Sequence, residues 1–105
     1  MADRNNLPAG LLEDVENQLD VTWSDEATDK KYRGLIAQAM TYLNGKLGET
    51  ADYTAEGMPR TLLMEYVRYA RDSALDVFEN NYLSLLLDMQ HRAEVNRFVE
   101  STASA

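Results

Sequence analysis

Apolar residues recur at steps of three and four along most of this chain, and this is the spacing of one helix face. No stretch shows sustained alternation of β-branched and polar residues, so strands are not expected. The pattern predicts an all-α fold, a small bundle of four helices over about 8–19, 25–47, 59–79 and 82–98, with one long acidic loop over 48–58. In the first segment Leu11, Leu12, Val15 and Leu19 form a narrow stripe, with Glu13, Asp14, Glu16 and Asn17 opposite. Pro8 suits its first turn, where a missing N–H costs nothing. In the second, Tyr32, Leu35, Ile36, Ala39, Met40, Leu43 and Leu47 make a long buried face. Ser24 is a candidate N-cap, Asp25, Glu26 and Asp29 complement the helix dipole, and Gly48 is the expected C-terminal stop.

The third segment differs in kind. Its polar residues Thr61, Glu65, Arg68, Asp72, Asp76 and Glu79 fall on a single thin stripe, and the rest of its circumference is apolar. A surface helix needs only a stripe of about 100°. This segment must therefore be the central helix of the domain or be covered on a second side by another chain. Asn80-Asn81 is the expected break, since asparagine tolerates left-handed geometry. After the apolar run Leu83 to Met89, the residues Val95, Phe98 and Val99 do not line up with Leu85, Leu86 and Met89. That mismatch predicts a helix frayed or ordered by a partner. Residues 1–100 read as one helical domain and 101–105 as a disordered tail.

Composition narrows the function. With 105 residues, the chain is one domain's length, and 45 % hydrophobic residues suffice for an unstapled core. The absence of cysteine excludes a disulfide scaffold, a thiol nucleophile and a thiolate zinc site. No apolar leader opens the sequence and no apolar run reaches the roughly 18 residues of a membrane span, so a reducing cytoplasm is the default compartment. A formal charge of −8 disfavours a protein that grips nucleic acid by its phosphates. The acids are uneven: Met1 to Met58 carries eleven acids and five bases, Pro59 to Ala105 seven and five.

Candidate chemistry is sparse. His91 has no second histidine or cysteine with which to share a metal. Asp72 and Asp76 stand one turn apart but on a solvated stripe, which does not desolvate either for acid–base work. Ser24, Ser73 and Ser84 lack a nucleophile elbow, and the five glycines form no phosphate loop. We expect no catalytic residue, no cofactor and no metal. A helix–turn–helix reading meets Asp25-Glu26 at the end of the helix that would face bases.

The order of residues is more informative. Leu11-Leu12-Glu13-Asp14-Val15, Leu19-Asp20-Val21-Thr22-Trp23, Asp25-Glu26 and Thr28-Asp29-Lys30-Lys31 are followed by Gly34-Leu35-Ile36 and Ala39-Met40-Thr41-Tyr42-Leu43-Asn44. After the acidic loop come Leu62-Leu63-Met64-Glu65-Tyr66-Val67-Arg68-Tyr69-Ala70-Arg71, Ala74-Leu75 and Phe78-Glu79-Asn80-Asn81-Tyr82. From Leu11 to about Val95 this resembles the phage head–tail connector family, the small helical adaptors of long-tailed bacteriophages. The resemblance implies a structural virion protein, made in the host cytoplasm and placed at the head–tail interface. Copies would form a homo-oligomeric ring, dodecameric in the virion, beneath the portal protein. The ring would join the DNA-filled capsid to a head-closure (stopper) or tail protein, with DNA passing through the lumen. It implies no sequence-specific nucleic acid and no membrane. On this reading Tyr66, Tyr69, Leu75 and Phe78 are expected at the subunit interface. Tyr82, Leu83, Leu86, Leu87, Met89 and Phe98 are expected to dock onto the portal or a neighbour. Glu49, Asp52 and Glu56 are the expected lumen or loop acids. The alternative is a small helical DNA-binding regulator or packaging accessory protein.

Overall fold

The computed structural model describes residues 4–22 and 25–103, with side-chain surroundings as far as Glu100. Four α-helices follow in order: α1 Leu11–Gln18, α2 Glu26–Leu47, α3 Met58–Arg71 and α4 Leu75–Ala103. No strand occurs among the described residues, and the all-α bundle expected from the periodicity is what forms.

Local chemistry sets most boundaries. Pro8 lies ahead of α1 rather than in its first turn, because Gly10 adopts φ +81° and breaks helical continuity there. At α2 the cap is Asp25, whose Oδ1 accepts the Thr28 N–H at 2.7 Å. Ser24 and Trp23 lie outside the described residues. Gly48 ends α2 as expected, at φ +77° with its N–H on the Asn44 carbonyl at 2.8 Å.

The acidic loop is tied to the bundle. Asn44 Oδ1 accepts both the Ala51 N–H at 3.2 Å and the Tyr53 hydroxyl at 2.6 Å. Tyr53 is fully buried, which pushes its hydroxyl up to about 12. Arg60 donates to the Tyr53 carbonyl at 3.3 Å from the first turn of α3.

The break expected at Asn80-Asn81 lies instead at Asp72-Ser73-Ala74. Ser73 takes φ +56°, and the Tyr69 carbonyl accepts from Asp72 at 3.2 Å and Ala74 at 2.8 Å. Asn80 and Asn81 are inside α4, where Asn81 Nδ2 donates to the Tyr69 hydroxyl at 3.3 Å. The polar stripe Thr61 to Glu79 thus spans two helices joined by a turn. α4 continues through the expected tail as far as Ala103; residues 104 and 105 lie outside the described part.

Of the two ways to cover the third segment, the first holds. α3 packs against α1, α2 and α4, whereas α1 does not touch α4. Leu62, Leu63, Met64, Tyr66 and Val67 are buried by this chain alone. α4 lies in the groove between α2 and α3, held there by an aromatic cluster around Phe78. The Phe78 ring meets those of Tyr66 at 5.5 Å, Tyr82 at 5.1 Å, Tyr69 at 6.0 Å and Tyr42 at 6.3 Å.

Candidate functional site

The residues expected at one interface divide into two groups. Phe78 and Tyr66 are core residues of the single chain, and Tyr69 and Leu75 pack partly buried beside them. The apolar surface of Phe78 and Tyr66 is therefore consumed inside the bundle, whereas Tyr69 and Leu75 keep part of theirs accessible. Leu86 and Met89 are likewise core, and Tyr82 is half-buried with its hydroxyl on Glu65 at 3.1 Å. Leu83, Leu87 and Phe98 remain exposed, at 53 %, 54 % and 72 %.

These three belong to a larger set. Every exposed large hydrophobic side chain among the described residues lies on α4: Val77, Leu83, Leu85, Leu87, Val95, Phe98 and Val99. The buried stripe of α4 runs Phe78, Leu86, Met89, Ala93. Beyond it the exposed Arg97 reaches back to the Leu47 carbonyl at 2.9 Å and to Glu49 at 3.3 Å. At 100° per residue, Leu83 and Leu87 project about 100° and about 140° round the helix from that stripe, on the flank beside α2. Phe98 points almost directly away from it, and Val95 and Val99 lie about 140° and about 100° round on the other side. The mismatch seen in the sequence is thus an exposed face on a continuous helix.

On the α2 flank the exposed leucines border a groove of about 80 Å³, lined by Tyr42, Lys46, Glu79, Leu83, Leu86, Leu87 and Gln90. The Tyr42 hydroxyl donates to Glu79 at 2.7 Å, and the Lys46 ammonium lies 5.5 Å from the Tyr42 ring centroid. Burial, and then the Glu79 carboxylate, raise the Tyr42 hydroxyl far above its ordinary range. The phenol is therefore a fixed donor, and the groove has one rigid aromatic wall.

The acids expected to act together have separate local roles. Glu49 pairs with Arg97, and Asp52 caps its own loop by accepting from Thr54 N at 2.9 Å and Thr54 Oγ1 at 2.6 Å. Those hydrogen bonds lower the Asp52 carboxyl. Glu56 is exposed. A basic depression on α2, lined by Arg4, Lys30, Lys31, Gly34 and Gln38, collects three cations and no acid. No group of three or more metal-ligating side chains occurs among the described residues. None of their helices is long and apolar enough to cross a membrane.

The sequence places Glu16 on the solvent side of α1, and the structure corrects this. Glu16 is buried, and its Oε2 has no hydrogen-bond partner. The Val21 N–H returns to the Glu16 carbonyl at 2.9 Å, folding the chain over it. Burial raises the Glu16 carboxyl, with the hydrogen bond and charge of Asp29 and the charge of Glu13 adding to it; Arg33 opposes. A carboxyl raised by folding contributes stability at low pH that is lost as pH rises through its folded value. Glu16→Gln is therefore expected to raise Tm by a few degrees at pH 7, with the gain vanishing near pH 4. Thermal melts at both pH values check this, and an equal difference at both would contradict it.

Comparisons with protein-family models, with curated proteins and with solved structures find no match to this chain.

Proposed function

We propose that this chain is an assembly subunit of the head–tail connector type, forming a ring beneath a portal and joining a DNA-filled head to its closure or tail proteins. One observation carries the reading: the chain completes its own core and still presents every exposed large hydrophobic among the described residues on a single helix. Contiguous apolar surface left over after folding marks an interaction site. It extends about 200° round α4, room for the two unlike patches that a ring needs on each subunit. The resemblance in residue order supplies the identity of the ring. The net charge of −8 supports the same reading, because an acidic wall repels phosphates and lets a duplex slide. Against the DNA-binding alternative, the basic depression on α2 offers three cations, fewer than the roughly 6–10 phosphate contacts of a steeply salt-dependent binder.

Removing residues 92–105 tests the proposal. The deleted segment contributes Ala93 to the core and Arg97 to the end of α2, while Phe78, Leu86 and Met89 stay in place. The truncated chain is expected to keep its helical circular dichroism with a lowered Tm, and to fail to join heads to tails. Full activity in joining would remove the C-terminal half of α4 from the function.

A further inference from the structure

Two carboxyl groups meet across the contact between α1 and α2. Glu16 is 8 % exposed, and its Oε2 is sealed from solvent with no hydrogen-bond partner. Asp29, in the first turn of α2, lies within hydrogen-bonding reach of the Glu16 carboxyl. Two ionised carboxylates have only acceptors to offer, so the contact is a hydrogen bond only while one proton is shared between them. The described residues offer no group of three or more metal-ligating side chains, so a proton rather than a metal ion completes the pair. We propose that Glu16 and Asp29 form a proton-dependent joint between α1 and α2: α1 stays seated while the pair shares a proton, and it opens more often once that proton is lost. The joint operates in the single chain, whether or not copies assemble.

The charges around the pair set the direction. From α1 itself Glu13 adds negative charge; from α2 Asp29 adds more, and Arg33 opposes both. The other element packed on α1 is α3, and its arginines are engaged elsewhere: Arg60 with Asp14 at 3.1 Å, Arg71 with the Leu19 carbonyl at 3.3 Å. An ionised Glu16 thus faces two acids and one arginine, with one oxygen still shut away from water. The helix that carries it is suited to local opening. It has eight residues, ends at Asp20 with φ +57°, and touches α2 and α3 but not α4. Leu11, Val15 and Leu19 still hold it by burial, so ionisation shifts a local equilibrium and does not expel the helix. The sign follows from linkage. Glu16 binds its proton more tightly in the seated helix than in the open one. Seating is therefore strongest below the value of an open glutamate, about 4.3; it weakens as pH rises through the seated value and is level above it.

The test is amide hydrogen exchange by NMR on the full chain from about pH 4 to about pH 7, with the Glu16 carboxyl carbon shift recorded in the same series. The N–H groups of Leu19 and Val21, bonded to the Val15 and Glu16 carbonyls at 3.0 and 2.9 Å, report on α1. Their protection factors are expected to lie below those of Ala39 and Val67, buried in α2 and α3. They are expected to fall about tenfold for each pH unit by which the Glu16 midpoint exceeds about 4.3. Glu16→Gln should remove that fall. Asp29→Asn should lower the Glu16 midpoint, because an amide N–H replaces a repelling charge. Protection in α1 that ignores pH, or that changes equally in Glu16→Gln, would overturn the joint. So would a Glu16 midpoint unmoved by Asp29→Asn. Amides of α1 as protected as those of Ala39 and Val67 would overturn it too, since α1 would then open only with the whole bundle.

Discussion

Phe78→Ala is expected to unseat α4 from the bundle. Phe78 is fully buried, and four tyrosine rings from three helices surround it within 6.3 Å. Truncating a buried phenylalanine costs about 3–5 kcal/mol through lost transfer energy and the cavity left behind. The aromatic pairs lost with it each contribute roughly 0.5–1.5 kcal/mol beyond area burial. The surrounding tyrosines cannot collapse freely into the hole. Tyr42 is held by Glu79, Tyr82 by Glu65 and Tyr66 by Gln38, whose Nε2 donates to its hydroxyl at 2.8 Å. In a chain of this length the loss corresponds to a fall in Tm of more than about 12 °C. A thermal melt followed by circular dichroism measures it, and a fall of under a few degrees would mean that Phe78 does not anchor α4.

The second large effect is the reverse in kind. Leu87→Asp with Val99→Asp is expected to leave Tm almost unchanged and to abolish assembly. Both side chains are more than half exposed, so the folded chain gives up little packing. In an assembly, both aspartates would be buried without partners, and an unpaired charge cannot be desolvated without a large penalty. The melt and the assembly assay must therefore diverge: native Tm, no ring. A variant that loses both would place Leu87 and Val99 in the fold. A variant that loses neither would place the assembly surface elsewhere.

The sequence made α2 legible because its apolar face is uninterrupted and Gly48 ends it with a residue suited to positive φ. The α3–α4 turn was hidden for a specific reason. It contains neither glycine nor proline, and its left-handed residue is Ser73, a conformation that few non-glycine residues adopt. Asp72 and Asp76 stand four apart across it, so the polar period continues through the break as if one helix ran on. That merger made the third segment look thickly apolar and placed Phe78 and Tyr66 at an expected subunit interface. The reversal of chain direction at Ser73 puts them in the core. The exposed face of α4 left a trace in the sequence, in the misphasing of Val95, Phe98 and Val99. Nothing in the pattern marked the groove beside Tyr42, because its walls come from α2 and α4, whose pairing is tertiary. Glu16 was hidden similarly: the groups that face its carboxyl include Asp29 and Arg33 of α2, a tertiary pairing that its own helix does not reveal.

The most direct test of the proposed function is the mass of particles formed when the purified chain is mixed with the portal rings it is proposed to join, read by single-particle mass measurement. A discrete gain of many copies per portal is expected, absent with Leu87→Asp/Val99→Asp at equal Tm. A portal that gains no mass at any concentration of the chain, or gains it equally with the variant, would contradict assembly through α4.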